Sequence, residues 1–236
     1  MFVLAVDTAT PTVSVAIGRD GALLGSVSLG HGRRHAEQLA PAIVYLTREC
    51  EVTLDRFAAI GVGIGPGLFT GLRVGVTTAK VMAQALRIPV VGLASLDLLA
   101  YPLRHAHGRL IAAVIDARRK EVFTALYRPV PGGVQRESDY AVGPPSRLAA
   151  ELEARGEETL LAGDGAVLHA GAFVDLEHVE HAGAGFATPS AAALIALTTA
   201  RMEQEEFVAP AELVPLYLRQ SDAELSWGPI RSEVGR

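Results

Sequence analysis

Three observations predict an α/β protein of two similar lobes, each built from a β-β-β-α-β-α unit. Strand-like runs come in threes ahead of a helical pattern, once in each half of the chain. The first strand of each half ends in an aspartate, in Leu4-Ala5-Val6-Asp7 and Ala113-Val114-Ile115-Asp116. Each fourth strand runs into glycines, Gly63-Ile64-Gly65 and Gly163-Asp164-Gly165. Strands alternating with helices after a meander imply a mixed sheet covered by helices, one per half.

In the first half, Phe2 to Val6, Val13 to Ile17 and Ala22 to Leu29 read as strands, separated by the polar turn Asp7 to Pro11 and the hairpin signal Arg19-Asp20-Gly21. A helical pattern follows from His35 to Cys50, then a strand from Ala58 to Ile64, and a second helix from Thr70 to Leu86. In the second half the strands are Leu110 to Ile115, Glu121 to Tyr127, Val134 to Tyr140 and Thr159 to Ala162, with helices at Ser146 to Arg155 and after Gly165. Thr188-Pro189 is expected to cap a helix reaching Glu206, with Thr as N-cap and Pro in the first turn. Pro215 to Arg219 reads as a docked extended piece. The division is a first lobe over 1–108, a degenerate second lobe over 109–220 and a polar tail over 221–236.

The 236 residues allow a sizeable core, and half of them are hydrophobic against a fifth charged, which excludes a disordered or fibrous chain. A formal charge of -5 gives no global attraction to nucleic acid or an anionic membrane, so any RNA contact must be local or borrowed from a partner. The single Cys50 forbids an intramolecular disulfide and a cysteine-built metal site, and it fits a reducing compartment. The N-terminus starts directly with a strand and shows no signal-peptide pattern, and the longest uncharged stretch, Ala182 to Ala200, is too rich in Ala, Gly and Thr to span a bilayer. A cytoplasmic protein without membrane contact is expected.

The stretch from Gly65 to Arg73, Gly-Pro-Gly-Leu-Phe-Thr-Gly-Leu-Arg, joins a buried strand to a helix, where free N–H groups and the helix dipole favour an anion. Gly65, Gly67 and Thr70 are therefore candidate phosphate contacts, although the spacing matches neither common nucleotide fingerprint. Asp7 and Thr8, with Asp116 as counterpart, would face across a cleft in a two-lobed nucleotide enzyme. The competing role of these side chains is turn capping. His31 and His35 stand four apart but flank Gly32, Arg33 and Arg34, so solvated histidines are expected there, as at His105, His107, His178 and His181. No serine elbow or cysteine–histidine pairing points to a nucleophile, and no metal site is expected.

The helix from Gly71 to Leu86 carries two apolar faces. Leu72, Val76, Ala79, Ala83 and Leu86 recur at spacings of four and three, while Val74, Thr78, Val81, Met82 and Ala85 cover most of the rest. The helix from His35 behaves alike, with Leu39, Ile43 and Leu46 on its main seam and Pro41 expected to kink it or mark its start. Surplus apolar surface on two helices suits either a third helix of this chain or a partner. Arg73 opposes the dipole in a first turn, which disfavours it by roughly 0.3 to 1 kcal/mol unless an acid or phosphate compensates.

Ala5-Val6-Asp7-Thr8-Ala9-Thr10, the run from Arg34 to Pro41, the Gly65 to Gly75 block and Ala117-Arg118-Arg119-Lys120-Glu121-Val122 closely resemble the bacterial TsaB (YeaZ) family. The ending Pro215 to Arg219 fits as well. The resemblance implies the actin/Hsp70/sugar-kinase-like (ASKHA) fold and a role in forming N6-threonylcarbamoyladenosine at position 37 of tRNA. It further implies pairing with the catalytic paralogue TsaD, recruitment of the ATPase TsaE, and contact with tRNA through that complex.

In that family the subunit is regarded as a non-catalytic scaffold without a cofactor of its own, with a nucleotide at the heteromeric contact left open. The paralogue's metal-binding His-x-x-x-His pair aligns with Ser95 and Leu99, neither of which replaces an imidazole. The expected partner contact is Leu39, Ile43 and Leu46 together with Leu72, Val76, Ala79 and Ala83, bordered by Arg73 and Lys80. The same helices are expected to form a homodimer in isolation. An ATP-dependent phosphotransferase is the alternative, and a peptidase a remote one.

Overall fold

The computed structural model describes residues 1–30 and 34–219. His31 and the expected tail over 221–236 lie outside the described residues.

The first sheet holds β1 (Phe2–Asp7), β2 (Val13–Arg19), β3 (Ala22–Leu29), β4 (Phe57–Gly65) and β5 (Val90–Ala94) in the order β3-β2-β1-β4-β5. The meander is antiparallel, and β4 and β5 add in parallel beside β1. The second sheet repeats the plan: β6 (Leu110–Arg118), β7 (Glu121–Val130), β8 (Gly133–Arg136), β9 (Ala141–Gly143), β10 (Thr159–Ala162) and β11 (Val179–His181) run β11-β10-β6-β7-β8, with β9 beside β7. Its β6–β7 pair is antiparallel and its β6–β10 and β10–β11 pairs are parallel. Duplication is thus visible in topology as well as in sequence.

Helices α1 (His35–Glu49) and α2 (Phe69–Leu86) cover one face of the first sheet. Leu4, Val6, Val15, Ile17, Ile60 and Val62 point toward them, while the alternate residues Val3, Ala5 and Ala16 point to the rear, as the period-two pleat requires. Both faces of β1 are buried, which is why its sequence is apolar without alternation. In the second lobe α3 (Ser95–Ala100) covers one sheet face, and α4 (Pro145–Arg155) with α5 (Asp164–Leu168) covers the other. Degeneracy shows in these last two helices, of 11 and 5 residues against 15 and 18 for α1 and α2.

The rear of the first sheet is covered by α6 (Ala191–Glu203), whose Ala193, Leu194 and Ile195 pack on Val3, Ala5 and Ala16. A segment that the sequence division ascribes to 109–220 therefore backs the other lobe. Gly61 permits the approach, since a Cβ there would stand 2.0 Å from Thr198 Oγ1.

The predicted strand from Val134 to Tyr140 is instead two short pieces, β8 and β9. Between them the Leu126 N–H donates to the Ser138 hydroxyl at 2.9 Å, so a side chain interrupts the ladder. The predicted Thr188 cap is also displaced: α6 starts two residues later, with Ser190 Oγ accepting the Ala193 N–H at 3.2 Å. Helix α1 runs through Pro41 without ending. The closing segment docks as expected, with the Leu216 N–H on the Ile64 carbonyl at 2.8 Å. No described helix is long and apolar enough to cross a membrane.

Candidate functional site

The Gly-Pro-Gly turn between β4 and α2 forms one wall of a cleft of about 380 Å³ between the lobes. Asp116, Arg118 and Arg119 at the end of β6 form the opposite wall, and Leu216 to Arg219 run along it. Thr70, exposed in the first turn of α2, lines this cleft, as does Gly67.

The glycines seat a helix on a loop. A Cβ on Gly67 would lie 2.3 Å from the Ala9 carbonyl oxygen, and one on Gly71 2.1 Å from that of Thr8. The Leu68 N–H donates to the Ala9 carbonyl at 2.7 Å, and the Thr8 hydroxyl donates to the Gly71 carbonyl at 2.7 Å. The space beside Thr8 and Ala9 is thereby filled by the chain's own helix. Gly65 has φ +100°, open to glycine at little steric cost, and precedes a cis peptide to Pro66.

Asp7 and Thr8 do not face the cleft; both are buried and neither lines it. Asp7 Oδ1 accepts the Ala9 N–H and Oδ2 the Ser95 hydroxyl, each at 3.1 Å. Burial pushes its carboxyl up to about 6, against the opposing pull of those two donors and of nearby His35. The capping role of Asp7 is the one realised. Asp116 does reach the cleft: its Oδ2 lies 3.0 Å from Arg118 Nη1, its Oδ1 accepts the Arg118 N–H at 3.0 Å, and its own N–H donates to Asp164 Oδ1 at 3.0 Å. Burial, reinforced by the charge of Asp116, pushes the Asp164 carboxyl up.

His35, expected in solvent, is buried and donates from Nε2 to the Thr10 carbonyl at 2.9 Å. His178 is half-buried and donates to the Leu152 carbonyl at 3.0 Å, while His105, His107 and His181 are exposed. Among the described residues no group of three or more His, Cys, Asp or Glu is placed to hold a metal ion.

The structure places the apolar seam of the expected partner contact inside the chain. Leu39, Ile43, Leu46, Leu72, Val76, Ala79 and Ala83 are all buried within the chain, and all but Leu72 belong to one core cluster against the first sheet. A seam at spacings of four and three is what the chain's own sheet demands of a covering helix. Lys80 donates to the Ala211 and Leu213 carbonyls at 3.2 and 3.0 Å, clamping the stretch just before the closing segment. The face left in solvent carries Ala40, Val44 (67% exposed) and Tyr45 (50%) on α1, and Thr77, Val81 (61%) and Ala85 on α2, with exposed Arg73 at its end.

Residues 30–227 match the family described as TsaD: tRNA N6-adenosine threonylcarbamoyltransferase. The tRNA threonylcarbamoyladenosine biosynthesis protein TsaB of Escherichia coli is 30% identical over 70% of this chain and 72% of its own length. The solved YeaZ of Pseudomonas aeruginosa superposes with a TM-score of 0.76 at 30% identity, over 92% of this chain and 99% of that one. The chain belongs to the TsaB (YeaZ) family.

An uncharacterised Mycobacterium tuberculosis protein, 38% identical over 94% of this chain and 93% of its own, is a further relative of this TsaB family member. The ASKHA fold is shared with the activator of the 2-hydroxyisocaproyl-CoA dehydratase from Clostridium difficile, at TM-score 0.55 and 9% identity, a likeness of fold alone. Two features of the cleft escape sequence reading. Tyr217 packs on Phe69 with centroids 5.2 Å apart and planes tilted by 38°, and Arg219 pairs with Glu121 and donates to the Ala117 carbonyl at 3.2 Å. Only the docked character of that segment was signalled, by its apolar and aromatic run.

Proposed function

We propose that this chain acts in forming N6-threonylcarbamoyladenosine in tRNA as a non-catalytic subunit, docking a TsaD-type transferase on the exposed face of α1 and α2. The observation that carries this reading is the uncovered apolar stripe of Val44, Tyr45 and Val81 on two helices whose other faces are already committed to their own core. Large apolar side chains left together in solvent fit a protein contact. The ATPase TsaE joins the assembly in this reading, and tRNA is met through the complex. In isolation the same stripe pairs two copies of the chain.

The non-catalytic assignment is supported by what occupies the positions aligned with the paralogue's metal-binding histidines. Ser95 is buried and spends its hydroxyl on Asp7, and Leu99 is part of the core. A phosphotransferase needs Asp7 at the cleft, whereas it is packed against Gly63, where a Cβ would lie 1.8 Å from its Oδ2. No resident cofactor is assigned.

The test is charge placed on the exposed stripe. Val44→Glu with Val81→Glu should leave the fold intact, because both side chains are more than half exposed, yet end co-purification with the transferase and tRNA modification by the pair. Undiminished binding would refute the docking face. Threonylcarbamoylation of tRNA by this chain alone would refute the non-catalytic role.

A further inference from the structure

The β6–β7 turn adopts a backbone that its residues resist. Pairing of Arg118 with Glu121 leaves Arg119-Lys120 as a two-residue loop with φ of +54° and +61°, and Arg118 itself has φ +63°. Such a loop with both central residues left-handed calls for Asn-Gly or Asp-Gly. The chain obeys that rule at its β2–β3 turn, where Asp20-Gly21, at +50° and +80°, joins Arg19 to Ala22. At β6–β7 three successive cations hold the left-handed region instead, tied down by the Arg118 N–H and guanidinium on Asp116. Strain kept in a turn that also lines a cleft points to a functional constraint.

Charge and aromatic surface coincide with that strain. The protein is net acidic at -5, yet Arg118, Arg119 and Arg219 line the cleft, with Lys120 next in the same turn and Arg73 over Phe69, beside the acids Asp116, Glu121 and Asp164. Arg73 lies 3.9 Å above the Phe69 ring, Phe69 packs on Tyr217, and Tyr217 stays 42% exposed. Cations beside an exposed aromatic pair are what an unpaired nucleotide segment uses: phosphates on the cations, a base against the ring or guanidinium plane.

We propose that this cleft mouth binds an RNA loop, its phosphates on the Arg118 to Lys120 turn and one unstacked base against the Phe69–Tyr217 pair. The proposal rests on the tRNA-modification reading and gives this subunit a direct share of the tRNA contact. A body of net negative charge repels phosphate elsewhere, so local placement of the cations decides where RNA can approach.

The experiment is anisotropy titration of unmodified tRNA with the full chain, alone and with its TsaD-type partner, from about 50 to 200 mM salt. Arg119→Asn with Lys120→Gly should weaken tRNA binding about tenfold and reduce the salt slope by about two. The same pair should raise Tm by about 2 °C or more, because Asn-Gly relieves the turn. Tyr217→Leu should weaken binding about fivefold or more with the slope unchanged. Parent-like affinity and slope in these variants would overturn the proposal, as would a fall in Tm of the Asn-Gly variant. Complete displacement of tRNA by micromolar AMP would overturn it too, by assigning the cleft to a mononucleotide. Parent-like tRNA binding in a pair that still assembles and modifies tRNA sinks only this inference; loss of assembly in the helix-face variants is read separately.

Discussion

The Ser95 hydroxyl donates to Asp7 Oδ2 at 3.1 Å, joining the end of β1 to the start of α3 across 88 residues of chain. The bond holds a carboxylate inside the protein, where its charged form is disfavoured. The carboxyl of Asp7 is pushed up to about 6 from an ordinary 3.8.

The sign of the resulting pH dependence follows. A raised carboxyl binds its proton more tightly in the folded chain, so this group's contribution to stability is full below about pH 4 and lost as pH rises to about 6. The loss amounts to roughly 3 kcal/mol. Asp7→Asn should remove that slope and leave the protein at least as stable as the parent at neutral pH. Denaturant melts at successive pH values check it; an unchanged slope in the variant would contradict the assignment.

Gly67 lets α2 sit on the loop after β1, and a side chain there meets backbone 2.3 Å away, which cannot rotate aside. Gly67→Ala should cost about 2 kcal/mol or more through backbone displacement. Gly171, with nothing within 4 Å of an added Cβ, is the control and should tolerate alanine within about 0.5 kcal/mol. Equal costs at the two positions would show that α2 is not seated as described.

Lys80 holds the Ala211 and Leu213 carbonyls, just before the closing segment, with one ammonium. Lys80→Met keeps the stem and removes the donors, at an expected cost of about 1 to 2 kcal/mol. Hydrogen exchange should quicken at Leu216, whose N–H bonds Ile64, before it changes in β1. Unchanged protection at Leu216 would mean that the clamp does not hold the segment.

Tyr127 and Tyr140 both donate to Asp97 Oδ1, at 2.7 and 2.9 Å. Burial first, then the charge of Asp97, raises the pKa of each hydroxyl above its ordinary value of 10. The unfolded chain therefore releases these protons first, and stability should fall as pH climbs beyond 10. Tyr127→Phe should cost about 1.5 to 3 kcal/mol at neutral pH and soften that alkaline decline. An alkaline limb identical to the parent's would separate Tyr127 from it.

The three-stranded meander and both long helices of the first half were legible because apolar runs, turn residues and Gly-Pro punctuation act within a few residues of each other. What stayed hidden depends on distant partners. Nothing near Asp7 announces that Gly63 makes room for its carboxylate. The two apolar faces of α2 were readable, yet periodicity does not tell which face meets the chain's own sheet. The regular seam through Leu72, Val76, Ala79 and Ala83 proved internal, while the sparser set divided, Val74 and Met82 packing against the core and Val81 and Ala85 standing in solvent. Left-handed φ at Arg118, Arg119 and Lys120 leaves no trace in residue type, since these are residues that ordinarily avoid it.

The return of α6 to the rear of the first sheet bears on how the molecule is made. A ribosome releases Val3, Ala5 and Ala16 long before their cover, Ala193 to Ile195. Until that cover emerges the sheet exposes an oily back, an invitation to chaperones and to clumping. A fragment ending at residue 108 would carry the same bare surface permanently, and expression of such a half should yield insoluble material.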